Sequence, residues 1–189
     1  MFESLRANSR IKRMSSAESL AGESICLVRA IAGGDEEALS AFYERFGRYV
    51  FSYLLGRLSD AQLAEEALQD VMVAVWRGAR GFRGASSVQT WVLTIARRIA
   101  IRAQNRSRAD ALPLNEESAL PDAPDSGPAE LREALRRLPA DQREALELVF
   151  YHGLSGAEAA RVLGVAEGTV KSRLYRAKAA LRELMDLPT

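Results

Sequence analysis

Residues 154–181 read LSGAEAARVLGVAEGTVKSRLYRAKAAL. Ser155 stands just ahead of the first apolar repeat, and Glu158 follows at capping-box spacing. In that arrangement the hydroxyl and the carboxylate each satisfy a backbone N–H at the helix start. Ala159, Ala160, Val162 and Leu163 form an apolar stripe. Gly164 then ends the helix, because glycine enters a left-handed cap without a Cβ clash. A second helix begins at about Glu167. On it Val170, Leu174, Ala177 and Leu181 share one side. Lys171, Ser172, Tyr175 and Arg176 point away from that side, with Arg173, Lys178 and Arg182 on the flanks. A short helix, a glycine turn and a basic second helix make a helix-turn-helix, the unit that enters a DNA major groove. Taken alone, the stretch also reads as an ordinary helical hairpin with a solvated charged face.

The chain has 189 residues, enough for one domain or two small ones. It is 48% hydrophobic and 27% charged, the balance of a soluble globular protein. The net charge of +1 conceals strong local segregation. Cys26 is the one cysteine and His152 the one histidine. A single thiol cannot form an internal disulfide, which fits a reducing, cytoplasmic location. There is no Cys/His pair at ligand spacing, no phosphate-binding glycine loop and no nucleophile elbow. The expectation is therefore no enzyme, no cofactor, no metal and no catalytic residue. Cys26 reads as a small core residue and His152, beside Gly153, as a helix cap or surface residue. No apolar run is long enough to span a bilayer, and no signal peptide is visible.

Outward from the helix-turn-helix, the chain reads as all-α, in two small helical domains joined by an acidic linker. Residues 1–23 read as a flexible tail, in which Met14 is an alternative start of translation. Residues 24–108 carry helix periodicity and no useful strand alternation. Ile25, Leu27, Val28 and Ile31 begin a helix that stops at Gly33-Gly34. Asp35 and Asp60 suit the N-caps of the next two helices. The third, Ala61 to Trp76, has an apolar side of Leu68, Val71, Met72 and Val75 and an acidic side of Glu65, Glu66, Gln69 and Asp70. That acidic side is either plain solvated surface or a dock for a basic partner. The charge then inverts: Arg77, Arg80, Arg83, Arg97, Arg98, Arg102, Arg106 and Arg108 follow with no Asp or Glu among them. RGARGFRGASS is a loop, and Val88 to Arg106 a helix with an apolar seam of Val88, Trp91, Val92, Ile95 and Ile99. Arg97 lies opposite that seam, with Thr90, Leu93 and Gln104 near it. A cationic loop and helix suit a phosphate backbone, through release of condensed counterions. Phe82 either stacks on an unpaired base or packs in the core, and Trp91 belongs to the core. Residues 109–128 are rich in Pro, Asp and Glu and read as the linker; residues 129–186 form the second domain.

FRGASSVQTWVLTIARRIA (82–100) resembles the promoter-melting segment of bacterial sigma factors of the extracytoplasmic-function group of the sigma-70 family. LAEEALQDVMVAVWR (63–77) resembles the helix before it in that family, and GTVKSRLYRAKAALRE (168–183) its C-terminal promoter-reading region. All three motifs occur in the family's order. The resemblance implies a sigma factor that binds core RNA polymerase and directs it to promoter DNA. It implies a polymerase-docking face at Glu66, Gln69, Asp70 and Val73. It implies capture of the melted −10 element by Phe82, Arg83, Ser86, Ser87 and Gln89, with Arg97, Arg98 and Arg102 on the helix beside them. Many relatives carry Asn where this chain has Arg98. It implies −35 reading by Thr169, Lys171, Ser172, Arg173, Tyr175 and Arg176, with Glu167 and Gly168 opening that helix. The linker would thread through polymerase near the active-site cleft. An anti-sigma factor, often membrane-anchored, is the implied regulator, and the free protein would be a monomer. A conventional dimeric regulator would explain residues 154–181 equally well, but not the acidic helix followed by an acid-free basic loop and helix.

Overall fold

The computed structural model describes residues 21–110 and 129–185. Most of the expected tail and linker therefore lies outside the described residues. Every regular element among the described residues is helical. In the first half these are α1 (21–32), α2 (Glu36–Leu58), α3 (Ala61–Gly78), a short 3-10 turn (Ala79–Gly81) and α4 (Val88–Asp110). The second half has α5 (Ala129–Arg137), α6 (Ala140–Leu146), a π turn (Glu147–Tyr151), α7 (Gly156–Leu163) and α8 (Glu167–Leu184).

The caps follow from the sequence. Asp35 accepts a hydrogen bond from the Ala38 N–H at 3.0 Å, and Asp60 from the Leu63 N–H at 2.9 Å. Ser155 and Glu158 form the reciprocal capping box. Gly164 closes α7 at φ +68°, the left-handed region that favours glycine. α4 runs on to Asp110 rather than stopping at Arg106. Nothing between those residues breaks a helix, and the first proline beyond is Pro113.

α2, α3 and α4 pack on one another around Phe42, Val50, Leu54, Val71, Val75 and Val92, all fully buried. α8 lies across α6 and α7 through Val170 and Ala177. Below it, Leu138, Leu146 and Ala177 make a small satellite core. α6 widens into the π turn, which the His152 N–H closes on the Glu147 carbonyl at 2.9 Å. Single π turns are often found at functional positions. This one leaves Phe150 and Tyr151 in solvent and folds His152 inward.

α7 packs directly against α4, and the buried apolar residues of both halves form one continuous cluster. Three expectations change as a result. Thr90 and Leu93 are buried instead of lying on an open face, because the second half covers that side of α4. His152 caps the π turn, as one of its two readings had it, but it is not a surface residue: it is 8% exposed, enclosed by the rings of Tyr49, Tyr53 and Tyr151 at centroid distances of 5.0, 5.6 and 5.1 Å. Cys26 is exposed rather than in the core, since it lies on the outer side of α1 from Val28 and Ile31.

Candidate nucleic-acid and polymerase interfaces

The acidic side of α3 is open. Glu66, Gln69, Asp70 and Val73 are all exposed, while Ala67, Leu68, Val71 and Val75 face the core. Val73 is an aliphatic side chain 46% exposed amid carboxylates, which suits a contact surface better than water. Beside it a groove of about 630 Å³ runs between α2 and α3, lined by Tyr43, Phe51, Leu68, Gln69 and Met72 among others.

The exposed face of α8 follows the pattern read from its sequence except at Ser172. Thr169, Lys171, Tyr175 and Arg176 are exposed, with Ser172 and Arg173 half-buried on the flank. Tyr175 is 77% exposed. Lys171 pairs with Glu167 one turn back at 3.0 Å, a solvent-screened contact that leaves its charge available. Arg173 is held differently: its Nε meets Asp141 of α6 at 3.1 Å. No side chain caps the N-terminus of α8, so its first-turn N–H groups point outward at the positive end of the helix dipole.

The basic loop and α4 are only partly open. Arg83, Gln89, Arg98 and Arg102 are exposed, and Arg98 and Arg102 share a face at i,i+4 spacing. Ser86 is half-buried. Phe82 packs on Trp91 with ring centroids 5.0 Å apart. Ser87 and Arg97 face the second half. The Ser87 and Thr90 hydroxyls donate to Glu158 Oε1 at 2.8 and 3.2 Å. Arg97 Nε donates to Glu144 Oε1 at 3.0 Å. Arg161 of α7 also donates to the Ala85 carbonyl in the basic loop at 2.8 Å.

Sequence reasoning did not single out Glu144. It is 3% exposed, and among the described residues its hydrogen-bond and ion-pair partners come from the first half: Arg97, the Tyr53 hydroxyl at 2.8 Å and Arg57 at 3.7 Å. Burial, then the Glu144 charge, pushes the Tyr53 phenol well above its ordinary pKa. One signal was available, because Glu144 shares a helix face with Leu148, one turn on, where an apolar residue would be expected. Glu158 is a second bridging acid. Burial acts to raise its pKa, but hydrogen bonds from the Ser155 backbone and hydroxyl, Ser87 and Thr90 outweigh it and hold the carboxyl below its usual value.

Comparison with known proteins bears on these surfaces. The Sigma-70 region 2 family matches residues 42–109, and the Sigma-70, region 4 family matches residues 129–181. The ECF RNA polymerase sigma factor SigM of Mycobacterium tuberculosis is 37% identical over 166 residues, covering 84% of this chain and 83% of that protein. SigK, an ECF RNA polymerase sigma factor of the same species, is 31% identical over 186 residues, covering 92% of this chain and all of the relative. Among solved structures, the sigma factor RpoE of Bartonella quintana, in complex with the anti-sigma factor NepR, superposes with a TM-score of 0.60 at 27% identity. That match covers 79% of this chain and 99% of the other. CnrH, in complex with the cytosolic domain of CnrY, shares the fold with a TM-score of 0.65 at 22% identity, over 88% of this chain and 99% of that one.

Proposed function

We propose that this chain, which belongs to the sigma-70 family of RNA polymerase sigma factors and within it to the extracytoplasmic-function group, works in the cytoplasm by docking on core polymerase through α3 and reading promoter DNA with both halves. Glu66, Gln69, Asp70 and Val73 form the docking face, where carboxylates meet a basic partner and Val73 leaves water. Thr169, Lys171, Ser172, Arg173, Tyr175 and Arg176 read the −35 duplex from the major groove, where base edges are distinguishable. Phe82, Arg83, Ser86, Ser87, Gln89, Arg97, Arg98 and Arg102 take the melted −10 strand, for which a loop and a cationic helix are the suitable shape. Residues 24–108 and 129–186 are the two working units and residues 109–128 the tether. Tethering raises affinity only when both DNA elements can be engaged together, and polymerase fixes that spacing. The protein acts as a monomer. Its regulator is an anti-sigma factor, by analogy with the complex of the B. quintana relative.

The observation that carries this reading is the separation of an acidic, partly apolar face on α3 from basic faces on α4 and α8. A groove-reading regulator that acts alone has no use for the first. The test is run-off transcription with purified core polymerase on genomic promoter fragments, with and without the protein. Protein-dependent starts at discrete sites are expected. No initiation, together with tight unaided binding to a duplex palindrome, would overturn the assignment.

A further inference from the structure

We propose that Phe150 of the π turn is a positioning residue for DNA binding: its ring holds Lys178 of α8 in place as a phosphate contact beside the reading face. This rests on the functional reading above, in which α8 meets the −35 duplex. Lys178 Nζ stands 4.8 Å from the centroid of the Phe150 ring. A cation over an aromatic face within about 6 Å is attracted by the quadrupole of the ring. Phe150 is 60% exposed, so its ring is not filling the core. The π turn puts it outside: His152 folds inward to close the turn on Glu147, and Phe150 and Tyr151 are left in solvent.

Two cations flank the reading face of α8, and they are held in different ways. Arg173 meets the Asp141 carboxylate at 3.1 Å, which offsets its charge. Lys178 meets a ring, which does not neutralise the charge it holds. Among the described residues no carboxylate lies within ion-pair distance of Lys178. Lys171, Tyr175 and Lys178 are exposed and follow at i, i+4 and i+7, so they share one row of the helix. Lys178 stands about 10 Å along the axis from Lys171. The major groove is about 8.5 Å deep, and a recognition helix brings its N-terminal residues to the base edges. With Lys171 at those edges, Lys178 is level with the phosphates that rim the groove. A lysine on a free stem loses rotamer freedom when it binds; one already held by a ring loses less. Phosphate contacts fix orientation and carry no sequence information, so Phe150 acts on affinity and register, not on base choice.

The experiment follows binding of the full chain to a fluorescein-labelled duplex of randomised sequence, by anisotropy over a series of low salt concentrations. Each phosphate contact adds about 0.9 to the slope of log affinity against log salt. Lys178→Gln is expected to lower the slope by about that amount. Phe150→Leu keeps an apolar side chain without the π face. It is expected to lower the slope by part of that amount and the affinity about two- to fivefold. Phe150→Trp is expected to restore the wild-type slope, since indole is the best cation-binding ring. In a chain already carrying Lys178→Gln, Phe150→Leu is expected to change nothing further. Both side chains are exposed, so the variants keep the fold, which circular dichroism verifies. A wild-type slope in Lys178→Gln or in Phe150→Leu would overturn the proposal, as would a Phe150→Leu loss that persists without Lys178. Lys171→Gln is the reference. If it alone lowers the slope, α8 remains the DNA-binding face and only the positioning role fails. If none of the three variants changes the slope, α8 does not meet DNA and both readings fail.

Discussion

Arg97 of α4 and Glu144 of α6 meet across the seam between the halves at 3.0 Å, the carboxylate almost wholly removed from water and the guanidinium about three-quarters so. Such a pair couples when either member is changed. A double-mutant cycle of Arg97→Ala and Glu144→Gln, read by urea unfolding, is expected to show an interaction energy of about 0.5–3 kcal/mol. Additive effects would mean that the two side chains are neighbours without energetic linkage.

Glu147 and His152 make the stability of the folded chain sensitive to pH from opposite sides. Burial pushes the Glu147 carboxyl up to about 7, against the pull of Arg143 and Arg57. Its contribution is fully present below its usual value of 4.5 and is lost as pH rises through 7. Burial lowers His152 to about 4, so its contribution is present above 6.5 and lost as pH falls through 4. The melting temperature of Glu147→Gln is expected to fall less between pH 5 and pH 8 than that of wild type. An identical fall in both would exclude Glu147 as the cause.

Ser155→Ala removes one half of a capping box and is expected to cost about 1 kcal/mol. Glu158→Ala is expected to cost more, since the same carboxylate also serves Ser87 and Thr90. Because its pKa is held down in the folded chain, the Glu158 contribution is present above 4.5 and weakens as pH falls below that. Equal losses in the two variants, by denaturant titration at neutral pH, would show that the bonds across the seam add nothing.

Asp70→Arg places a cation on the open acidic side of α3. Polymerase affinity is expected to drop sharply, with −35 duplex binding unaltered. Retained polymerase affinity, measured by competition for the core enzyme, would remove α3 from the docking surface.

Arg176→Ala tests whether α8 reads DNA. If the guanidinium meets a base edge, promoter binding falls by about 1–3 kcal/mol while binding to random duplex changes little. Equal loss on both duplexes would assign Arg176 to phosphate.

Much of this molecule was written locally in the chain. Asp35, Asp60, Ser155 and Gly164 declare helix ends through bonds spanning a few residues, and the structure places each as a cap. The side of α8 bearing Val170 and Ala177 is likewise a matter of periodicity. What periodicity cannot supply is the identity of a distant partner. Thr90 and Leu93 look like outer residues on an isolated α4, and they are buried because α7, which follows far along the chain, lies on them. The cap role of His152 was legible beside Gly153, but its burial was not, as its enclosure depends on Tyr49 and Tyr53 from α2. The π turn left no periodic trace, because five residues are too short a run to betray a changed pitch.

The continuous apolar cluster also has a temporal side. It joins α1 and α2 to residues of α7 and α8 that lie more than a hundred positions later in the chain. Ribosomes deliver the N-terminal half first, and domains generally fold as they emerge. For the interval needed to make the remainder, α4 stands uncovered, with Arg97 lacking its acid and Leu93 lacking its lid. In that order of synthesis, α4 gains its cover and Arg97 its acid only after α6 and α7 have been made.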